Sequence, residues 1–281
     1  MTAQSRPGAH DATTAPGTGG ATPRQGAQDA APRQGAQDAA PRRNADADWD
    51  AWPVEQYLAE NYRTLHPSDA AVIAAHSALY RRIEPGSLER TVELGAGPNL
   101  YPLLLAAAAS RHIDAVEPGA AGVAYLRRTL ADGPEPSWQP FYAECRRLDP
   151  ALPATMRQAL SVVQVHRAPL TAPPAPPYDL ASMHFVAESV TAEEDEFRSL
   201  CAGFVAAVRP AGWLVAAFMA GMPTYRLGDG SVWPGLPVTA EILHDVFEPL
   251  VDDLEIVAVP RDDTLPAYGD DGMLVLHARR R

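Results

Sequence analysis

Thr91-Val92-Glu93-Leu94-Gly95-Ala96-Gly97-Pro98-Asn99-Leu100-Tyr101 is the stretch that decides the fold. Thr91 to Leu94 close a short apolar run that suits a buried strand. Gly95 and Gly97 permit a sharp turn with backbone open to a ligand, since neither carries a Cβ. Pro98 stands where a helix would begin, at the position that needs no N–H. From Leu100 to Ala109 the chain is apolar and alanine-rich, as a helix laid on a sheet should be. Strand, glycine turn and helix form the ligand-binding corner of an open α/β sheet.

Three readings compete for such a corner. A dinucleotide site wants G-x-G-x-x-G, and here Leu100 takes the place of the third glycine. Glu93-x-Gly95-x-Gly97 resembles motif I of the S-adenosylmethionine-dependent methyltransferases, whose cofactor has no phosphate to cradle. The third reading is an ordinary turn whose glycines serve bending alone. His112-Ile113-Asp114-Ala115-Val116-Glu117 is expected to be the second strand, ending in a carboxylate. Glu117 lies about twenty residues past the turn, where an acidic side chain accepts hydrogen bonds from ribose hydroxyls. That spacing favours a nucleoside ligand.

Outward from this corner, helices and strands alternate. Aromatics Trp49, Trp52, Tyr57 and Tyr62 recur at helical spacing through 48–65, and a second helix is expected from Pro67 with Ser68 as its N-cap. A helix over 118–130 follows the second strand; 133–152 carries no clear pattern, and 153–160 reads as helical. Strands are expected at 161–165, 179–183 (running into His184-Phe185), 213–218, 254–259 and 273–278, with helices at 192–208 and 238–247. Thr191 is the expected N-cap of the first of these, with Glu193, Glu194 and Asp195 favourable to its dipole. This rhythm predicts an α/β, Rossmann-like doubly wound sheet of about seven strands under an N-terminal helical cover.

Composition sets the outer limits. The 281 residues carry 28 prolines and a formal net charge of −12, and all 23 basic residues are arginine. An acidic chain of this kind argues against a nucleic-acid partner held through phosphates. Residues 1–46 hold no large apolar residue after Met1 and repeat Pro-Arg-Gln-Gly-Ala-Gln-Asp-Ala-Ala at 23–31 and 32–40. Such a tail has too little apolar surface to offset ordering entropy, so the folded domain is expected over 47–281. Cys145 and Cys201 are too few for a disulfide framework or a cysteine zinc site. The eight scattered histidines show no metal-ligand spacing, so no metal is expected. No run is long and apolar enough to span a bilayer, and no secretory leader is visible; a cytoplasmic monomer is the expectation.

Across roughly 50–280 the chain resembles the small-molecule N-methyltransferases that include the nicotinamide, phenylethanolamine and thioether enzymes. Four pieces carry the resemblance: Gln56-Tyr57-Leu58-Ala59-Glu60-Asn61-Tyr62, Gly95-Ala96-Gly97-Pro98-Asn99-Leu100-Tyr101, Val186-Ala187-Glu188-Ser189-Val190 and Arg209-Pro210-Ala211-Gly212. It implies S-adenosylmethionine as cofactor, with Gly95, Gly97, Asn99 and Tyr101 in contact and Tyr57 and Tyr62 closing over its methionine carboxylate. Glu117 would hold the ribose. Gln164-Val165 stands where the family has the Asp-Val pair that meets adenine. Glu188 would be the catalytic carboxylate that orients an amine, with Tyr57, His184 and Tyr225 beside the small-molecule acceptor. The stretch 220–225 lacks the second carboxylate that some members carry, which predicts a more apolar pocket.

The implied activity is transfer of a methyl group to nitrogen of an amine or N-heterocycle. O-methylation of a small metabolite, an NAD-type oxidoreductase and a non-catalytic relative that only binds the cofactor are the alternatives. A G-x-S-x-G elbow and a P-loop are both missing, so hydrolase and NTPase readings have no support.

Overall fold

The computed structural model describes residues 41–281. In chain order it contains α1 (Val54–Asn61), α2 (Pro67–Tyr80), β1 (Thr91–Leu94), α3 (Tyr101–Ala106), β2 (Ile113–Glu117), α4 (Ala120–Asp132), α5 (Gln139–Leu148), α6 (Met156–Leu160), β3 (Val163–Arg167), β4 (Tyr178–His184), α7 (Glu194–Ala206) and β5 (Val208–Ala220). The short pair β6 (Tyr225–Arg226) and β7 (Val232–Trp233) follows, then α8 (Ala240–Phe247), β8 (Val251–Pro260) and β9 (Gly272–Arg280).

Seven strands make one sheet in the order β3-β2-β1-β4-β5-β9-β8. The first five are parallel and β9 runs antiparallel between β5 and β8. The expected doubly wound, Rossmann-like sheet of seven strands is therefore present. Strand order reverses at β1, which pairs with β2 on one side and β4 on the other. A crevice at the carboxyl end of such a reversal is where open α/β sheets bind ligands.

The core lies on both faces. One cluster joins the sheet to α2, α3, α5 and α6, the other to α7 and α8. β2 supplies both, Ile113 and Ala115 to the first and Val116 to the second, as a strand covered on two sides must. The same alternation puts Val92 and Leu94 in the second cluster and turns Glu93 toward α2. Among the described residues no helix is long and apolar enough to cross a membrane.

Several local expectations shift. α2 is capped by His66, with Pro67 in its first turn, so Ser68 and Asp69 fall inside the helix and are buried. Proline without an N–H fits the first turn, which moves the cap one residue earlier than Pro67. Trp49–Ala51 is a separate 3-10 turn, because Pro53 interrupts the aromatic stretch before α1. α3 starts at Tyr101, leaving Pro98 in the turn. α5 forms where no pattern was legible, and it buries Phe141, Tyr142 and Cys145 on one stripe. β3 starts later than expected and runs on to Arg167. α7 is capped by Glu193, and Thr191 instead receives the Glu193 N–H at 3.0 Å.

Of the expected tail, 1–40 lies outside the described residues. Residues 41–46 are held against the start of α7. Arg42 pairs with Glu193 at 2.7 Å, its carbonyl accepts the Ala192 N–H at 2.7 Å, and the Asn44 N–H donates to Glu196.

Candidate active site

The carboxyl ends of β1, β2, β4 and β5 open onto one cleft, with about 1240 Å³ of empty space counting the solvent at its mouth. Its floor is the glycine turn. Gly95 and Ala96 donate their N–H groups to the Val116 carbonyl at 2.8 and 3.0 Å, which ties the turn to the end of β2. Gly95 has φ +70°, and a Cβ there would lie 2.7 Å from the Val186 side chain. Glycine is needed at this point for packing as well as for backbone conformation. Gly97 differs: at φ +49° its missing Cβ would meet nothing closer than 3.8 Å, so it is open on the cleft side.

Glu117 stands at the end of β2 and reaches over this turn. Its two carboxylate oxygens accept the Gly97 N–H at 2.9 Å and the Gly119 N–H at 2.7 Å. Burial pushes its carboxyl above the usual range, while those two amides pull it down. A Cβ on Gly119 or Gly122 would come within 2.9 Å of the Glu117 side chain, so both glycines make room for it. Asn99 accepts the Tyr101 N–H through Oδ1 at 3.2 Å, whereas its Nδ2 is buried at the cleft without a partner among the described residues.

The roof is aromatic. Trp49, Trp52, Tyr57 and Tyr62 border the cleft from the N-terminal segment. Trp52 meets Tyr57 edge-on at 5.5 Å and Trp233 at 4.6 Å, and the Tyr57 and Tyr62 hydroxyls lie 3.4 Å apart. Burial pushes the Tyr57 phenol up to about 12, so it stays a neutral hydrogen-bond donor. Cover helix α1 is tied to the loop before β9: Tyr268 donates to Glu60 at 2.9 Å and receives the Asn61 side-chain amide at 3.0 Å.

The opposite wall comes from the end of β5 and the segment after it (Met219, Met222, Tyr225) and from the loop before β9 (Tyr268, Asp270). Tyr225 and Tyr268 pack edge to face at 5.8 Å. The wall expected to lack a second carboxylate has one, supplied from far along the chain. Asp270 is buried; its Oδ2 lies 3.8 Å from Arg261 Nε, and its Oδ1 has no partner among the described residues. Asp69 also lines the cleft and is buried; burial, with the Asp262 charge behind it, pushes its carboxyl up to about 7.

Four expected positions differ. Glu188 is fully buried and does not border the cleft, although Ser189 and Val190 beside it do. Its Oε1 accepts the Met219 N–H at 2.8 Å, which turns the side chain toward β5, and burial pushes it up to about 8. Gln164 and Val165 lie in the middle of β3, paired with Asp114 and Ala115, and stop short of the cleft because the strand continues past them. Tyr101 is packed behind the floor, its ring parallel to Phe141 and its hydroxyl unpartnered.

His184 does reach the cleft, but both ring nitrogens are engaged, Nδ1 with Glu93 and Nε2 with His76, each at 3.0 Å. His166, the other strand-end histidine, is paired with Asp114 at 2.7 Å.

Asp69 and Asp270 are the site groups that sequence reasoning missed. Asp69 had a usable signal, since it shares a helix face with Val72, Ile73 and His76, all fully buried. Asp270 had none in its own neighbourhood.

No family model matches the chain, and no curated protein matches it. Solved structures resemble its fold. The N-methyltransferase NodS from Bradyrhizobium japonicum WM9 is 11% identical, covering 76% of this chain and 98% of that one, with a TM-score of 0.47. A DhpI complex with SAM and HEP is 16% identical, covering 80% and 93%, with a TM-score of 0.48. The 1,6-didemethyltoxoflavin-N1-methyltransferase from Burkholderia thailandensis is 16% identical, covering 75% and 79%, with a TM-score of 0.44.

Proposed function

We propose that this protein is an S-adenosylmethionine-dependent methyltransferase acting on a nitrogen of a small-molecule amine or N-heterocycle. The observation that carries the reading is Glu117, a carboxylate at the end of β2 poised over an open glycine turn at the point where strand order reverses. That geometry suits a nucleoside whose two ribose hydroxyls replace the backbone amides as donors. The chemistry of the remaining groups fits the same cofactor. Asn99 Nδ2 and the Tyr57 and Tyr62 hydroxyls are donors suited to an amino-acid carboxylate. Bound S-adenosylmethionine would supply a methyl group already attached to a good leaving group.

What the protein must then do is align the acceptor and exclude water. Alignment of this kind is worth up to roughly 7–11 kcal/mol in favourable cases. Trp52, Tyr57, Tyr225 and Tyr268 offer an aromatic wall of edge-to-face rings, and Met219 and Met222 an adaptable one. Asp270, with an unpartnered oxygen, favours a basic or N–H-bearing nitrogen over a phenolate, which its charge would repel. It takes the acceptor-side role that the resemblance assigned to Glu188. The test is methyl transfer from labelled S-adenosylmethionine across amines, pyridines and phenols. Turnover confined to nitrogen acceptors supports the reading, and turnover of phenols alone replaces it with O-methylation.

A further inference from the structure

Asp69 borders the same cleft as the glycine turn. It enters from the first turn of α2 and is 2% exposed. The Tyr101 hydroxyl lies near it and has no hydrogen-bond partner among the described residues. Tyr57 and Tyr62 border the cleft beside Asp69, and Tyr101 packs behind its floor, with all three phenols near enough to be raised by the Asp69 charge. Asn99 Nδ2 adds an unpartnered donor. A cluster of neutral donors around a single buried acceptor is the complement of a zwitterion. The donors suit a carboxylate and the acid suits an ammonium.

On the reading that the cofactor is S-adenosylmethionine, we propose that Asp69 binds the α-ammonium group of its methionine part, while the tyrosine hydroxyls and Asn99 take the α-carboxylate. The step is binding without covalent transfer; an Asp69 carboxyl that is protonated releases its proton to solvent water as the ammonium docks. Tyr101 follows directly on the glycine turn, which keeps this cluster on the cofactor side, and Asp270 supplies the carboxyl among Tyr225 and Tyr268.

The experiment is calorimetry on the full chain with two probes, S-adenosylhomocysteine and 5′-methylthioadenosine, which lacks the amino-acid part. For Asp69→Asn the expected result is at least a tenfold weaker affinity for S-adenosylhomocysteine and an unchanged affinity for methylthioadenosine. Equal weakening of both ligands, or no weakening of either, overturns the assignment. The wild-type protein gives a second measurement. Affinity for S-adenosylhomocysteine should rise from pH 6 to pH 8 as Asp69 loses its proton, while methylthioadenosine stays flat. The groups facing Asp69 are Asp262, whose carboxyl is already held low, Asp270 across the cleft, and the three tyrosines, whose phenols are held above their ordinary range. A flat profile for both probes overturns the assignment as well. If neither probe binds the wild-type chain, the methyltransferase reading itself fails.

Discussion

The Nε2 atoms of His76 and His184 lie 3.0 Å apart in a buried setting, so a single proton is shared between two acceptor nitrogens. The rest of the chain of contacts decides which ring holds it. His184 Nδ1 faces a Glu93 oxygen at 3.0 Å, and Ser182 donates to the other oxygen. A His184 that donates through Nδ1 to that Glu93 oxygen keeps Nε2 as an acceptor, and His76 then donates through Nε2. His76 Nδ1 is left as acceptor for His277 Nε2, 2.9 Å away. With His76 donating to His184, every proton in the row points the same way, from β9 through α2 to β1.

Neutral buried histidines make acid costly. Burial, then His184 and Arg82, push His277 down to about 4, and His76 is pushed well below its ordinary value by burial and its two ring neighbours. The unfolded chain binds these protons first, so their contribution to stability is full above about pH 6.5 and is lost as pH falls toward 4. His277 alone accounts for up to about 3 kcal/mol. Urea unfolding of His277→Gln across pH 4–7 should show a shallower acid decline than the wild type. Parallel curves would remove the linkage.

The two glycines of the turn should respond differently to alanine. Gly95→Ala combines a strained φ with a clash against Val186, whereas Gly97→Ala meets only the backbone strain. Strain of this kind costs of order 1–3 kcal/mol, and overpacking adds about as much again. Thermal unfolding should place Gly95→Ala clearly below Gly97→Ala. The reverse order would show that Val186 gives way freely.

Glu117→Gln keeps the shape of the side chain but removes its charge and one of its two good acceptors. If the ribose hydroxyls bind there, affinity for S-adenosylhomocysteine should fall by roughly 1.5–3 kcal/mol, the scale of hydrogen bonds to a charged group. Calorimetry reads this directly. An unchanged affinity would leave Glu117 as a brace for the glycine turn alone.

Glu188→Gln should barely alter turnover, because Glu188 receives the Met219 N–H and does not face the cleft. Its carboxyl is pushed up to about 8 by burial, far above the unfolded value. The native state therefore holds a proton that the unfolded state has released, and this group lowers stability as pH rises from about 4.5 to 8. The glutamine variant should lack that decline, gaining on the wild type toward pH 8 in chemical unfolding. A large loss of turnover with unchanged stability would return Glu188 to the acceptor.

Tyr268→Phe removes the hydroxyl that joins Glu60 and Asn61 of the cover helix to the loop before β9. Loss of a partly buried pair of this kind costs about 1–2 kcal/mol. Amide exchange in α1 should speed up while the sheet stays protected. Uniform exchange would mean that the aromatic roof alone holds the cover.

The parts legible in the sequence are those with local causes. A strand, two glycines and a helix are readable because φ above zero and close approach demand glycine at named positions. Glu117 is readable because one helix and one strand fix its distance from the turn. The aromatic cover was visible as composition, though Pro53 split it. Tertiary packing alone decided which acids face the ligand. Glu188 sits beside cleft-lining Ser189 and Val190 yet turns to the Met219 amide, and Asp69 and Asp270 arrive from α2 and from the loop before β9. The three histidines meet across 108 and 201 residues of chain. Whether a side chain points to solvent, core or cleft depends on the register and packing of elements distant in sequence. A local pattern can name the element, but the direction of each polar side chain is set only when its neighbours arrive.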